Sequence, residues 1–145
     1  MDLTISNRQR AVKINLRWLR GFGAAALDAC MGISGNGRFA LRELDEVEIA
    51  VVSDAVISRV HVDFMGIDGA TDVITFDHGE IVISAQTAAA CAGEHGHTVD
   101  EELGLYIVHG LLHLNGFDDM TPQERRTMLA VQNRVWRALR KRFPV

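Results

Sequence analysis

Apolar and polar residues alternate at Leu3-Thr4-Ile5, which predicts a short first strand. From about Val12 to Met31, Ile14, Leu16, Leu19, Phe22, Ala25, Ala26 and Leu27 recur at helical spacing. Gly21 and Gly23 weaken that helix without breaking its period. Three glycines between Gly32 and Gly37 mark a turn. Val47-Glu48-Ile49-Ala50-Val51-Val52 is rich in β-branched residues and predicts a central strand. Ser53 or Asp54 then caps a helix that runs to about Met65, with Val56, Ile57, Val60 and Phe64 on one face.

Gly66 to Ala70 reads as a loop. Thr71 to Phe76 and Glu80 to Ser84 read as two strands joined at Asp77-His78-Gly79, an antiparallel hairpin. Ala85 to about Glu94 is an alanine-rich helix. Thr98 and Glu101 have the spacing of a capping box, so the next helix starts near Val99 and ends at Gly116. The last helix begins at Thr121-Pro122 and turns Met128, Leu129, Val131, Val135, Trp136 and Leu139 inward. Strands and helices mix without strict alternation. The predicted class is α+β (mixed α/β), a sheet of about four strands wrapped by about five helices.

Composition narrows the class. At 145 residues, 48% of them hydrophobic and only two of them proline, the chain is expected to form one ordered domain over 1–145. No apolar run reaches the length of a membrane span, and Met1 to Arg10 holds no hydrophobic leader, so a cytoplasmic protein is expected. Cys30 and Cys91 have no metal-type spacing and read as packed thiols. The net charge of −4 is unevenly spread. Residues 1–20 carry +4, residues 121–145 carry +6, and the middle carries −14. Basic ends on an acidic body suit phosphate backbones, and equally suit Arg-rich solvated helices.

The chemistry concentrates between His109 and Asp119. His109 and His113 lie four apart in an apolar run, so on a helix both rings share one face, one turn apart, and can meet one metal ion. Gly116 can end that helix in a left-handed turn and bring Asp118 or Asp119 back to the same point. Two histidines and a carboxylate at the C-terminal end of a helix make a three-ligand zinc site with its fourth position open. Gly110 stands where the H-E-x-x-H proteases keep their general base, which argues against peptidase action.

These stretches carry a resemblance. The metal stretch supplies His109, Gly110, Leu112, His113, Leu114, Gly116 and Asp118 to the pattern H-G-x-L-H-L-x-G-Y-D-H. The hairpin supplies Thr71 to Phe76 and Gly79 to Ser84 to T-D-V-L-S-F and G-D/E-I-x-I-S. Together, in this order, they resemble the YbeY family of bacterial endoribonucleases. The resemblance implies one Zn2+ per chain, cleavage of single-stranded RNA, and a role in small-subunit ribosomal RNA maturation and ribosome quality control. It implies ribosomal RNA and the small ribosomal subunit as partners, with ribosomal proteins or a ribosome-associated GTPase beside them, and no membrane. The family's third ligand is the histidine closing the motif. Here that position is Asp119, an ordinary zinc ligand of harder chemistry. Phe117 replaces the motif tyrosine. Met65 and Ile67 stand where many members carry the Arg and Lys of Y-R-x-K-D.

Helpers follow from spacing. Glu102 lies seven residues before His109 on the same helical face, and is either a group near the pocket or a solvated first-turn acid. Asp118 is either a catalytic neighbour or a shaper of the turn. Asp72 reads as a loop-fixing acid, and Glu80 is open. His61, His78, His95 and His97 read as surface or turn histidines. Arg125, Arg134, Arg137 and Arg140 are the candidate RNA-binding residues of the last helix. The rival readings are a metal-dependent hydrolase of another substrate, and a ribosome-maturation RNA-binding protein whose zinc is structural.

Overall fold

Side-chain caps start every long helix. The computed structural model describes residues 1–145. Asn15 opens α1 (Leu16–Met31), Ser53 opens α2 (Asp54–Met65), and Ser84 opens α3 (Ala85–His95), each by accepting a hydrogen bond from a first-turn backbone N–H. Thr98 and Thr121 open α4 (Val99–Leu114) and α5 (Pro122–Arg142) with reciprocal capping boxes to Glu101 and Glu124. The strands are β1 (Asp2–Asn7), β2 (Glu46–Val52), β3 (Val73–Phe76) and β4 (Glu80–Ser84). No helix is long and apolar enough to cross a membrane.

Three expectations shift. Helix α1 starts at Leu16 rather than Val12, because the Gln9 side chain holds both the N–H and the C=O of Val12 in a loop, at 2.9 Å each. Phe64 is 69% exposed and rests edge-on against Phe76, outside the buried face of α2. Leu129 is 49% exposed, while Met128, Val135, Trp136 and Leu139 fill the inward stripe of α5.

The sheet has the order β1-β2-β4-β3. Strands β1, β2 and β4 run parallel, and β3 closes the edge antiparallel to β4. The two faces divide the helices. Val47, Ile49 and Val51 of β2 and Ile81 and Ile83 of β4 point into the main core with α1, α4 and α5. Val52, Ile74 and Val82 point the other way, onto Ile57 of α2. Helix α4 lies at the centre, touching α1, α3, α5, β3 and β4. Its Gly110 lets β4 approach, since a Cβ there would sit 2.9 Å from Ile81 side-chain atoms.

The end of α4 is pinned by one buried amide. Asn115 is fully buried. Its Nδ2 donates to the carbonyls of Cys30 (2.8 Å) and Ile33 (2.7 Å), and its Oδ1 accepts from the N–H of Leu41 (3.1 Å). That joins the end of α1, the glycine-rich turn and the short 3-10 segment Ala40–Glu43 to the metal helix. In Asn115→Ala the Leu41 N–H and the Ile33 carbonyl lose their side-chain partner, while the Cys30 carbonyl keeps the Ile33 N–H. Urea unfolding is expected to show a loss of about 3 kcal/mol, as for a few unmet buried groups; a loss below about 0.5 kcal/mol would show that the amide holds nothing.

Candidate metal centre

His113 follows His109 by four positions, one helical turn, and the structure brings their rings together edge to face. The ring centroids are 4.7 Å apart with planes at 76°. After Leu114 the chain passes Asn115 and reverses at Gly116, whose φ of +95° falls in the left-handed region. Asn36 closes over Gly116 so tightly that a Cβ would sit 2.3 Å from its Oδ1. The reversal returns Asp119 to the histidines. Its Oδ2 lies 3.5 Å from His113 Nε2, and the ligand atoms of His109, His113 and Asp119 all lie within 4.8 Å of one another. All three residues are half-buried.

Each ring is oriented through its far nitrogen. His113 Nδ1 donates to the Phe117 carbonyl at 3.0 Å, and His109 Nδ1 donates to Gln132 Oε1 at 2.6 Å. Both bonds place the proton on Nδ1 and leave the Nε2 lone pair for a metal, the arrangement that positions most ligating imidazoles. Gln132, 5% exposed on α5, carries no motif signal; its only trace in the sequence is a polar residue on the inward face of an amphipathic helix. The donor set of two imidazoles and one carboxylate, with no fourth protein ligand, fits a zinc site open to solvent.

The other predicted residues separate. Asp118 is exposed and its Oδ1 accepts from the Asp119 N–H at 2.9 Å, so it shapes the loop that presents Asp119. Asp72 accepts from the Val73 N–H at 2.8 Å, as a loop-fixing acid does, and its charge also reaches His109. Glu102 is buried, but two turns from His109 it meets His95 and His97 instead. It is neither beside the His109 pocket nor solvated. His97, read as a surface or turn residue, has its side chain 8% exposed. Arg125 stands at the site, donating to the Asp119 carbonyl at 3.2 Å and lining a cavity of about 90 Å³ with His109, Met128 and Leu129. Arg134 and Arg137 are exposed along α5. Arg140 is withdrawn from the candidate RNA surface. It pairs with Glu101 at 2.6 Å and lies over the Trp136 ring, at the opposite end of α4 from His113. A groove of about 490 Å³ opens beside His113 and Asp118, lined also by Arg38, Thr75 and Asp77. Arg38 gave no motif signal.

Burial pushes the His109 pKa below its ordinary 6.5, against the opposing pull of the Gln132 oxygen and the Asp72 and Asp119 carboxylates. The neutral ring is the one a metal needs. Because the folded value is depressed, the unfolded chain takes up the proton first on acidification. The contribution of neutral His109 to stability is therefore present above pH 6.5 and is lost as pH falls from there through the folded value. A histidine NMR titration of the metal-free chain is expected to place the His109 midpoint below 6.5. A midpoint at or above that value would mean that the carboxylates, not burial, set its charge.

The model of the endoribonuclease YbeY family matches residues 4–140 of this chain. An endoribonuclease YbeY of Pelotomaculum thermopropionicum is 31% identical over 150 aligned positions that cover 93% of this chain and 95% of that protein. One of Enterococcus faecalis is 32% identical over 123, covering 68% and 77%. The solution structure of TM1509 from Thermotoga maritima superposes with a TM-score of 0.64 over 97% of this chain and 90% of its own, at 21% identity, which shows a shared fold. A family pattern that spans nearly the whole chain and includes the paired histidines of α4 leaves one assignment: the chain belongs to the YbeY family of endoribonucleases.

Proposed function

We propose that this chain is a zinc-dependent endoribonuclease that cuts single-stranded RNA in the cytoplasm, in maturation of small-subunit ribosomal RNA and in ribosome quality control. The observation that carries the metal assignment is the convergence of His109 Nε2, His113 Nε2 and an Asp119 oxygen, with both rings held from behind. Membership in the family supports the RNA substrate. Zinc, when bound there, supplies a Lewis acid that polarises a phosphoryl oxygen and lowers the pKa of a water. His109, His113 and Asp119 would hold one ion at this site. Asp118 and Gly116 present Asp119, and Gln132 and the Phe117 carbonyl fix the rings.

The substrate strand lies in the groove beside His113, with Arg125 at the neighbouring His109 cavity to meet a phosphate; Arg38 lines the groove too, exposed but paired with Glu43 at 2.7 Å. Arg134 and Arg137 extend that positive surface along α5. Their attraction is electrostatic, so RNA affinity falls steeply with salt. Two observations weigh against the rivals. Gly110 is packed on Ile81 where a metalloprotease needs its glutamate, and no fourth protein ligand closes the metal as in a structural zinc site. Ribosomal RNA and the small subunit are the proposed partners, with ribosomal proteins or a ribosome-associated GTPase delivering them.

The test joins metal content to cleavage. Relative to wild type, His113→Ala is expected to carry one zinc fewer per chain and to cut single-stranded ribosomal RNA roughly a hundredfold more slowly or not at all. Asp119→His keeps both, since an imidazole serves the same position. Cleavage by His113→Ala at the wild-type rate would sink the metal mechanism, and zinc binding without cleavage by wild type would favour a binding protein. Gln132→Ala leaves the ligands intact and is expected to weaken zinc by roughly tenfold to a hundredfold in a chelator competition.

A further inference from the structure

A second group of metal-type donors sits at the other end of the same helix. His95 ends α3, Gly96 turns the chain in the left-handed region (φ +75°), and His97 follows at once. Their ring nitrogens converge on one carboxylate oxygen of α4. His95 Nδ1 lies 3.4 Å from Glu102 Oε1, and His97 Nε2 is in direct contact with the same oxygen. The three donor atoms lie within 4.8 Å of one another. The cluster stands two helical turns before His109, about 10 Å along the axis, so it is separate from the site already described.

The chemistry is unusual for a plain hydrogen-bond network. Glu102 is 2% exposed, and a buried carboxylate needs a cation or several donors. Both rings crowd onto Oε1. Beside it stands the Tyr106 hydroxyl, one turn further along α4. Tyr106 is 4% exposed, and its buried hydroxyl faces Glu102 and the Cys91 thiol. His97 packs edge-on against Trp136, whereas the His95 side chain is 55% exposed and offers an entry path.

We propose that His95, His97 and Glu102 form a second zinc site, one that clamps the end of α3 to α4. Two imidazoles and a carboxylate suit zinc; the 3.4 Å between His95 Nδ1 and Glu102 Oε1 matches the edge of a tetrahedron with bonds of about 2.1 Å, and the ion takes the place of the direct His97–Glu102 hydrogen bond. The clamp is structural. It ties α3, the turn at Gly96 and the first turn of α4 into one unit, and it stands whether or not the His109 site cleaves RNA.

The test counts zinc in the full-length chain. Wild type, His95→Ala, His113→Ala and the double variant are loaded with zinc, desalted and measured by mass spectrometry of the intact metal-bound protein. The expected counts are two, one, one and none. His95 is largely exposed, so His95→Ala is expected to fold like wild type, with an unchanged circular dichroism spectrum. Equal counts in wild type and His95→Ala would overturn the proposal, even if His113→Ala fails to fold. A zinc retained by the double variant would place the metal elsewhere and overturn it too. The thermal readout is independent of the count. In the His113→Ala background, zinc at about a hundredfold over its dissociation constant is expected to raise Tm by about 5–10 °C, and to leave the double variant unmoved. Cleavage of RNA by His95→Ala at the wild-type rate at low temperature would separate this clamp from the site that acts on RNA.

Discussion

Helix α4 is packed on nearly every side, by the sheet, α1, α3 and α5, and this burial governs each polar group it carries. A half-buried imidazole has two nitrogens to satisfy and little water to satisfy them with. In His109 and His113 the packing meets only one of them. Gln132 reaches across from α5 to the first ring, and the reversed chain offers the Phe117 carbonyl to the second. What remains is a pair of Nε2 lone pairs, aimed at one point and facing Asp119. The same packing that makes α4 the core of the domain thus preorganises a metal site on it. A helix with more water around it would hold neither ring in place.

That dependence explains what the sequence could and could not disclose. Most helix starts were legible because a cap is a contact between near neighbours, as at Ser53 and in the Thr98 and Glu101 box, whereas the start of α1 was displaced by Gln9 holding Val12 in a loop. The hairpin was legible because Asp77-His78-Gly79 is its own turn. The site's ligands were legible because i, i+4 spacing and a glycine reversal are also local. Gln132 and Asn115 were not, because each acts on residues far along the chain. Asn115 lies 85 residues from Cys30 and 74 from Leu41, and nothing near it marks it as a staple. Glu102 shows the same limit from the other side. Helical phase places it on the His109 face, but two turns are too far for contact, and the histidines that answer it come from the end of α3. Leu129 failed for a narrower reason. Its neighbour Met128 takes the inward position, and a stripe on α5 has room for only one of them.

Charge sharpens the functional problem. The body that holds the site is strongly acidic, and Asp72, Asp77, Asp118 and Asp119 all stand near the groove or its ligands. A phosphate strand approaching them meets repulsion of a few tenths of a kcal/mol to about 1 kcal/mol per exposed charge at surface dielectric. The positions where many family members carry Arg and Lys are here Met65 and Ile67, about half exposed and apolar. The compensation has to come from elsewhere. A divalent ion held by His109 and His113 would offset two of the nearby charges. Arg125, fixed by the Asp119 carbonyl, supplies a third cationic charge at the same place. Arg140 cannot help, because its guanidinium is engaged by Glu101 and Trp136.

This arrangement makes the metal more than a reagent. Without it, Asp119 would stay a bare carboxylate beside the histidines, next to the groove acids Asp77 and Asp118, and a phosphate strand would be repelled. With it, the Asp119 carboxylate becomes the reason that the ion stays. On the proposed reading, RNA binding at the groove and metal binding at the histidines would be coupled through one local charge balance. A histidine in place of Asp119 would leave the bound ion with one more unit of net positive charge, tightening the hold on phosphate. On the proposed reading the carboxylate would give up some grip on RNA for a grip on the ion, and Arg125, anchored on that same residue's backbone, sits where the lost positive charge would be needed.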